Sequence, residues 1–473
     1  MMGLAALLLT TWSACSDDTD IPGGENPEEA RAYTTVTIAV PNGVAETRAG
    51  TTADTDDNTT EVGSEDEYKV KTANLYLFPG GTGSSFGSAK LKEIISINQF
   101  TQMTASTADA KTIVWTSKKT ALTPGDYRIY IVVNGTVNGV TDGSKNSLTE
   151  ADFLAKTTAD ATGVIAAVPE AGLVMASRSP NNDKTNTLPY IAQTITKDPE
   201  QTIAATVERM MGKITVTAGG ANVASAANVY TSFSTTVTAI GNITNITLKG
   251  YYVVNARKEG YYFRHVDKEG SATSPLTVDN YGNSTTSLPY VVDPKTYSKT
   301  YTGALDGSYA DWYLQGSGAF GLLSFGSFGG TYTAMPGYSS AAAETKVAAY
   351  CYENTMLKDK QKNGYTTGIV FKAEIAPSKM MQKKAGSGVE ENSTFTSMSE
   401  IFYHSGIFYK DIAALKEAGV LLADGTTSSS VSGAPADLKK NDVQCFKKGS
   451  ADGKFVCYYP YWIKHIPSDD VAE

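Results

Sequence analysis

The chain has 473 residues, a formal net charge of −9, 41% hydrophobic residues and only 19% charged ones. An acidic balance excludes the clustered Lys/Arg surface that nucleic acid requires, and three His and four Cys leave few ways to build a metal or nucleophile site, so composition points away from an enzyme. At ~100–200 residues per domain the length predicts roughly two to four domains, and the Thr-, Ser-, Gly- and Tyr-rich remainder suits the pleated, half-exposed surfaces of an extracellular β protein.

The first segment reads as a targeting signal. Leu4–Leu9 is apolar but too short to span a bilayer, and Thr10, Thr11, Trp12, Ser13 and Ala14 lead to Cys15, as in a bacterial lipoprotein signal. Cleavage there makes Cys15 the first residue and the lipid carrier. No Lys or Arg precedes the apolar run, which is explained by a start codon placed late, and Trp12 stands where such signals carry a Leu-like residue. The acidic tract Ser16–Asp20 reads equally as a surface-export signal or as a solvated tether.

Between Cys15 and Tyr68 the basic residues are Arg31 and Arg48, and they bracket Ala32–Val40, closed by Pro41-Asn42-Gly43. Val36, Ile38 and Val40 alternate with Thr35, Thr37 and Ala39, which predicts a half-buried strand ended by a turn. Beyond it, Arg48-Ala49 opens a polar acidic run to Glu67 that cannot bury enough surface to fold, so Arg48 is an accessible site for an Arg-specific protease. The arrangement predicts a cleavable leader strand whose removal opens a sheet edge and an apolar slot for a foreign strand. Its three apolar side chains are worth roughly 5–9 kcal/mol before any ladder hydrogen bonds. The bland alternative is an ordinary first strand followed by a loop that contains Arg.

From Tyr68 onward strands and turns dominate. Strands are predicted over Lys69–Phe78, ending in Pro79-Gly80-Gly81, and over Tyr127–Asn134, with Tyr127, Ile129, Ile131 and Val133 on one face. Ser147 with Glu150 reads as a capping box that starts a helix ahead of Phe153 and Leu154, and Ser179–Leu188 reads as a loop. A second set of strands is predicted over Thr206–Val216, Ile243–Asn255, Gly260–His265, Val347–Asn354, Gly368–Ile375 and Lys454–Ile466, with Gly303–Thr345 a surface excursion. Asp411–Glu417 reads as a short helix stopped by Gly419. Many short strands with few helices predict two β-sandwiches joined near residue 205.

Taken together, the lipidated Cys15, the leader strand, Arg48-Ala49, P-G-D-Y-R-I-Y-I-V-V-N-G (124–135), V-E-R-M-M-G-K-I (207–214) and C-Y-E-N-T (351–355) resemble the fimbrillins. These are subunits of type V pili, and the resemblance is to the type that forms the main subunit of the minor fimbrium. It implies a mainly β fold with two transthyretin-like β-sandwich domains in tandem, export through the periplasm as a lipoprotein, and Arg-protease maturation at Arg48–Ala49. It also implies strand exchange between subunits. The expected organisation is a signal over 1–14, a propeptide with the leader strand over 15–48, one sandwich over 49–205 and a second over 206–473. Stalk subunits of the family continue past their aromatic strand into a donor segment, whereas this sequence stops soon after Trp462. A truncated record is the preferred explanation and a terminal subunit the other.

Catalytic and ligand motifs fall away on inspection. Gly316–Gly321 matches G-x-G-x-x-G, but Leu322-Leu323-Ser324-Phe325-Gly326 cannot open the helix a dinucleotide site needs. Asp54, Asp56 and Asn58 open like a calcium loop, yet Thr59 stands where Gly should make the turn, so the run reads as a solvated linker. His265, His404 and His465 lack ligand spacing, and Tyr458, Tyr459, Tyr461 and Trp462 read as packing ahead of sugar stacking. Cys445 and Cys457 sit symmetrically about Ala451 of a hairpin-like turn, which predicts a disulfide, with Cys351 a buried small hydrophobe.

The sequence therefore predicts a structural pilus subunit of the outer membrane and extracellular fimbrium, without cofactor or catalytic residues. Its expected partners are copies of itself, accessory or tip subunits, an Arg-specific protease and host or bacterial surface receptors. The rival reading is a monomeric surface lipoprotein that binds glycan or protein. A β-sandwich glycosidase with paired carboxylates is third.

Overall fold

In the computed structural model the described residues are 31–41, 63–80, 85–103, 112–158, 164–165, 167–178, 189–217, 223–225, 229–230, 243–254, 256–263, 265–267, 290–291, 294, 333–335, 338–339, 342–343, 345–354 and 367–463. Cys15, Arg48, Ala49, the Asp54–Asn58 run, the Ser179–Leu188 loop, Gly316–Gly321 and His465 all lie outside them. The fold is mainly β with a few short helices.

The first half forms a ten-stranded sheet. Its strands are β1 (Ala32–Pro41), β2 (Ala73–Pro79), β3 (Glu93–Ile97), β4 (Phe100–Gln102), β5 (Thr112–Ser117), β6 (Thr120–Leu122) and β7 (Gly125–Val133). Beyond the short β8 (Val164–Ile165), which joins another sheet, come β9 (Met175–Arg178), β10 (Ile191–Ile195) and β11 (Gln201–Arg209). The order is β3-β2-β7-β9-β11-β1-β5-β4, with β10 on β7 and β6 on β1. Ile97 of β3 and Trp115 of β5, from opposite ends of that path, share one apolar cluster with Ile38, Leu75 and Ile131, so the sheet folds over upon itself as a sandwich does.

Strand β7 shows the predicted alternation: Tyr127, Ile129, Ile131 and Val133 all face this interior. Its other face is buried as well, where Tyr130 and Val132 join Tyr76 and Phe78 of β2 beneath Phe153 and Leu154. Those two come from helix α2 (Glu150–Leu154), which lies over the outer surface. The cap of α2 differs from expectation. Thr149, not Ser147, accepts the N–H of Asp152 at 3.1 Å, and Glu150 turns inward.

The strand expected over Thr206–Val216 is two strands. Strand β11 runs to Arg209 within the first sheet, and after Met210-Met211 the chain enters β12 (Gly212–Thr217). Strand β12 pairs with Thr345–Cys351 instead. The division expected near residue 205 thus falls inside β11, because β1 and β9 hydrogen-bond that strand through Thr206 and Arg209. Residues 260–263 make one isolated bridge, Thr157 to Tyr261, followed by a bend, rather than the expected strand.

An eleven-stranded sheet dominates the second half, centred on Ile243–Val254, Gly368–Pro377 and Phe455–Trp462. The predicted short helix is present as Ile412–Ala418, capped by the Asp411 carboxylate on the Ala414 N–H (2.8 Å) and ended by Gly419 at φ 60°. That left-handed conformation is easily reached without a Cβ.

The expected disulfide is not formed; Cys445 and Cys457 are both free thiols. Lys447 faces Val456 and Lys448 faces Phe455, so the hairpin centre lies between Ala451 and Asp452 rather than on Ala451. In that register Cys445 falls level with Tyr458, and adjacent strand positions point to opposite faces. Cys457 enters the core with Phe455 and Ile375, whereas Cys445 packs beside Phe402 and Val443 on the other side.

Candidate functional site: the slot that holds β1

Strand β1 is an internal strand. It runs parallel to β11, with Thr34 opposite Gln201 and Ala39 opposite Thr206, and antiparallel to both β5 and β6. Val36, Ile38 and Val40 are fully buried, as are Ala32 and Thr34, while Tyr33 is half exposed. The inward series is therefore Ala32, Thr34, Val36, Ile38 and Val40, every second residue, which the period of a strand dictates.

The slot has polar features that alternation does not reveal. Thr37 faces Thr116 of β5 and Thr34 faces Thr120 of β6, so residues 35–36 of β1 are set against residues 117–119 of the partner. That extra partner residue is a β-bulge, and it breaks the ladder. Ser117 repairs the break: its hydroxyl accepts the Val36 N–H at 3.0 Å and donates to the Lys118 carbonyl at 2.7 Å. Two residues earlier, the buried Thr34 hydroxyl donates to the Gln201 carbonyl at 2.7 Å, at the start of β11.

Both ends of β1 are tied down. Arg31 donates to the Glu93 carboxylate at 2.5 Å, and the other oxygen of Glu93 accepts the Thr123 N–H at 3.2 Å. The two arginines singled out in the sequence therefore differ, because Arg31 is engaged by the sheet and Arg48 lies beyond the described residues. At the far end Arg209 donates from Nη2 to the Pro41 carbonyl (3.4 Å) and from Nε to the Glu67 carbonyl (3.1 Å).

Glu67 is the hub of that second anchor. It sits in helix α1 (Glu65–Tyr68), where it accepts the Tyr350 hydroxyl at 2.5 Å and the Lys213 ammonium at 3.2 Å. Burial alone would raise its pKa, but the Tyr350 hydrogen bond and the Lys213 charge outweigh burial and hold the carboxyl below the usual range. Burial, then the bond to Glu67, pushes the Tyr350 phenol up. A depressed carboxyl pKa contributes stability that is full above its unfolded value and lost as pH falls through the folded value. Tyr350→Phe should therefore move acid unfolding to higher pH and lower neutral-pH stability by ~1.5–3 kcal/mol, the worth of a hydrogen bond to a charged group. Fluorescence-monitored unfolding from pH 7 to pH 2 checks both; an unchanged acid midpoint would refute the assignment.

The remaining singled-out groups have structural surroundings. His265 Nε2 lies 2.9 Å from the Leu154 carbonyl and the ring stacks on Tyr261 at 3.9 Å. His404 lies within 3.3 Å of the carbonyls of Asp442 and Leu421. Among the described residues no three His, Cys, Asp or Glu side chains form a metal-binding group, and no helix there is long and apolar enough to cross a membrane. Tyr459 and Tyr461 are exposed on the strand Phe455–Trp462. The bulge at Ser117 and the Thr34 bond are what sequence reading missed. The Ser117-Lys118-Lys119 interruption between two apolar strands was the available signal.

No protein-family model matches the sequence, and no curated protein matches it. Among solved structures, the chain is similar to a candidate cell adhesion protein from Parabacteroides distasonis, at 12% identity and a TM-score of 0.35, covering 77% of this chain and 82% of that one. A candidate polysaccharide-binding protein from Bacteroides thetaiotaomicron matches at 10% identity and a TM-score of 0.25, over 59% of this chain and 69% of that one. A candidate adhesin from Bacteroides ovatus matches at 6% identity and a TM-score of 0.20, over 79% and 87% respectively.

Proposed function

We propose that the chain is a structural subunit of a bacterial surface fimbria. It is exported as a lipoprotein on Cys15, cut after Arg48 by an Arg-specific protease, polymerised by donor-strand exchange between subunits, and serves adhesion through the assembled fibre. The reading gives the chain no catalytic role. The observation that carries it is the position of β1: an internal strand with Ala32, Thr34, Val36, Ile38 and Val40 sealed inside, preceded in sequence by Cys15 and followed by Arg48. Loss of that strand opens the hydrogen-bonding edges of β11 on one side and of β5 and β6 on the other, over a row of apolar sites that another extended segment can fill.

Treatment of the lipidated precursor with an arginine-specific endoprotease should cut after Arg48 and spare Arg31, which Glu93 holds at the mouth of the slot. Release of the leader should then yield SDS-resistant ladders when a donor-bearing subunit is supplied. Cleavage at Arg48 that leaves a monomer under those conditions refutes the assembly reading and favours a monomeric surface lipoprotein.

A further inference from the structure

The interior of the slot is not uniformly apolar: it has one polar point on the side chain of Thr34 and another at Val36, where the ladder is broken. At the position of Thr34 a hydroxyl with no exposed surface donates to the Gln201 carbonyl. At Val36, opposite the bulge, the strand's own N–H is received by the Ser117 side chain. The start of β11 is itself held in place, since Gln201 Nε2 donates to the Thr196 hydroxyl at 3.0 Å. Ser117 is anchored on the Lys118 carbonyl and is buried. Two acceptors held in place, the Gln201 carbonyl and the Ser117 hydroxyl, discriminate more sharply than apolar pockets do, because an occupant lacking the matching donor leaves them unpaired inside the slot.

We propose that the slot selects its strand by a polar key. The occupant is an extended segment of another subunit with Ser or Thr at the place of Thr34 and an unalkylated backbone N–H two residues later. It carries a small residue two places before the hydroxyl and β-branched apolar residues at the places of Val36, Ile38 and Val40. A segment of equal hydrophobicity with Val in place of the hydroxyl is disfavoured, and one with Pro at the place of Val36 is disfavoured more strongly. Subunit sorting then depends on one hydroxyl and one N–H in addition to apolar fit. This inference rests on the strand-exchange reading above and specifies its partner.

The test uses the full chain cut after Arg48, with the leader still seated, and fluorescent synthetic peptides of the sequence Arg31–Pro41. Exchange into the slot is read by anisotropy. The native peptide should enter and displace the leader. Thr34→Val in the peptide should weaken binding about tenfold, the order expected when a part-buried acceptor loses its donor, whereas Thr34→Ser should stay within about threefold of native. N-methylation at Val36 should weaken it by more than about a hundredfold, since it blocks a buried hydrogen bond and adds bulk in a central strand. Thr37→Val, on the outward face, is the control and should change affinity by less than about threefold. A Thr34→Val peptide that binds as well as native overturns the polar key and leaves strand exchange standing. Failure of the native peptide to enter, or of the leader ever to leave, overturns the strand-exchange reading and the key with it.

Discussion

Ile38→Asp should expel β1 from the sheet. Ile38 has no exposed surface and lies between Ala205 of β11 and Trp115 of β5. Truncating such a side chain to Ala alone costs about 2–5 kcal/mol in lost transfer energy and cavity. Aspartate adds a carboxylate in a cluster of Val36, Leu75, Ile131 and Ile203, where burying an unpaired charge is costlier still. A whole domain is stable by only about 5–15 kcal/mol, so the strand leaves or the domain unfolds. Either outcome bares the slot, and the expected signature is strong binding of an apolar dye with a loss of at least ~4 kcal/mol in urea titration. Thr37→Asp, one residue earlier and on the other face, should cost less than ~1 kcal/mol. Equal effects of the two substitutions would mean that β1 does not occupy an internal position.

The second large effect is expected at Glu150. Its carboxylate has no exposed surface and receives four donors: Arg128 Nε at 2.6 Å, Arg128 Nη2 at 2.7 Å, the Tyr130 hydroxyl at 2.6 Å and the Gly87 N–H at 2.7 Å. Arg128 in turn lies over the rings of Phe86 and Tyr190, at 5.8 and 6.0 Å. A Cβ at Gly80 would stand 2.7 Å from the Arg128 side chain, so the predicted Pro79-Gly80 turn needs glycine because the ion pair packs against it. Glu150→Ala strands the guanidinium in the interior and should cost about 3–5 kcal/mol. Replacing both partners, Arg128→Met with Glu150→Leu, should recover only part of that loss: the uncompensated guanidinium is gone, but the Tyr130 hydroxyl and the Gly87 N–H are left without their acceptor. Chemical unfolding of both single variants and the double variant measures the coupling; additive losses would show that the two residues act independently.

Much of the local structure was legible in the chain. The alternation of Val36, Ile38 and Val40 and of Tyr127, Ile129, Ile131 and Val133 follows from the two-residue period of a strand, which needs no knowledge of the neighbours. Asp411 and Gly419 bounded a helix because a carboxylate on free N–H groups and a left-handed glycine are local chemistry. The mainly β class followed from the same signals. Where several local solutions competed, the expectation erred. Ser147 and Thr149 could both cap α2, and Thr149 prevails while the burial of Glu150 against Arg128 draws that side chain inward.

Only the tertiary structure decided which strands meet. The pairing of β1 with β11 joins residues 34 and 201, a separation over which no periodic signal extends. The second buried face of β7 depends on α2 lying across it, and the bulge at Ser117 depends on two strands sharing one partner. The free thiols of Cys445 and Cys457 make the same point at the smallest scale. A hairpin centre displaced by half a residue sends the two side chains to opposite faces, because neighbouring positions on a pleated strand point in opposite directions.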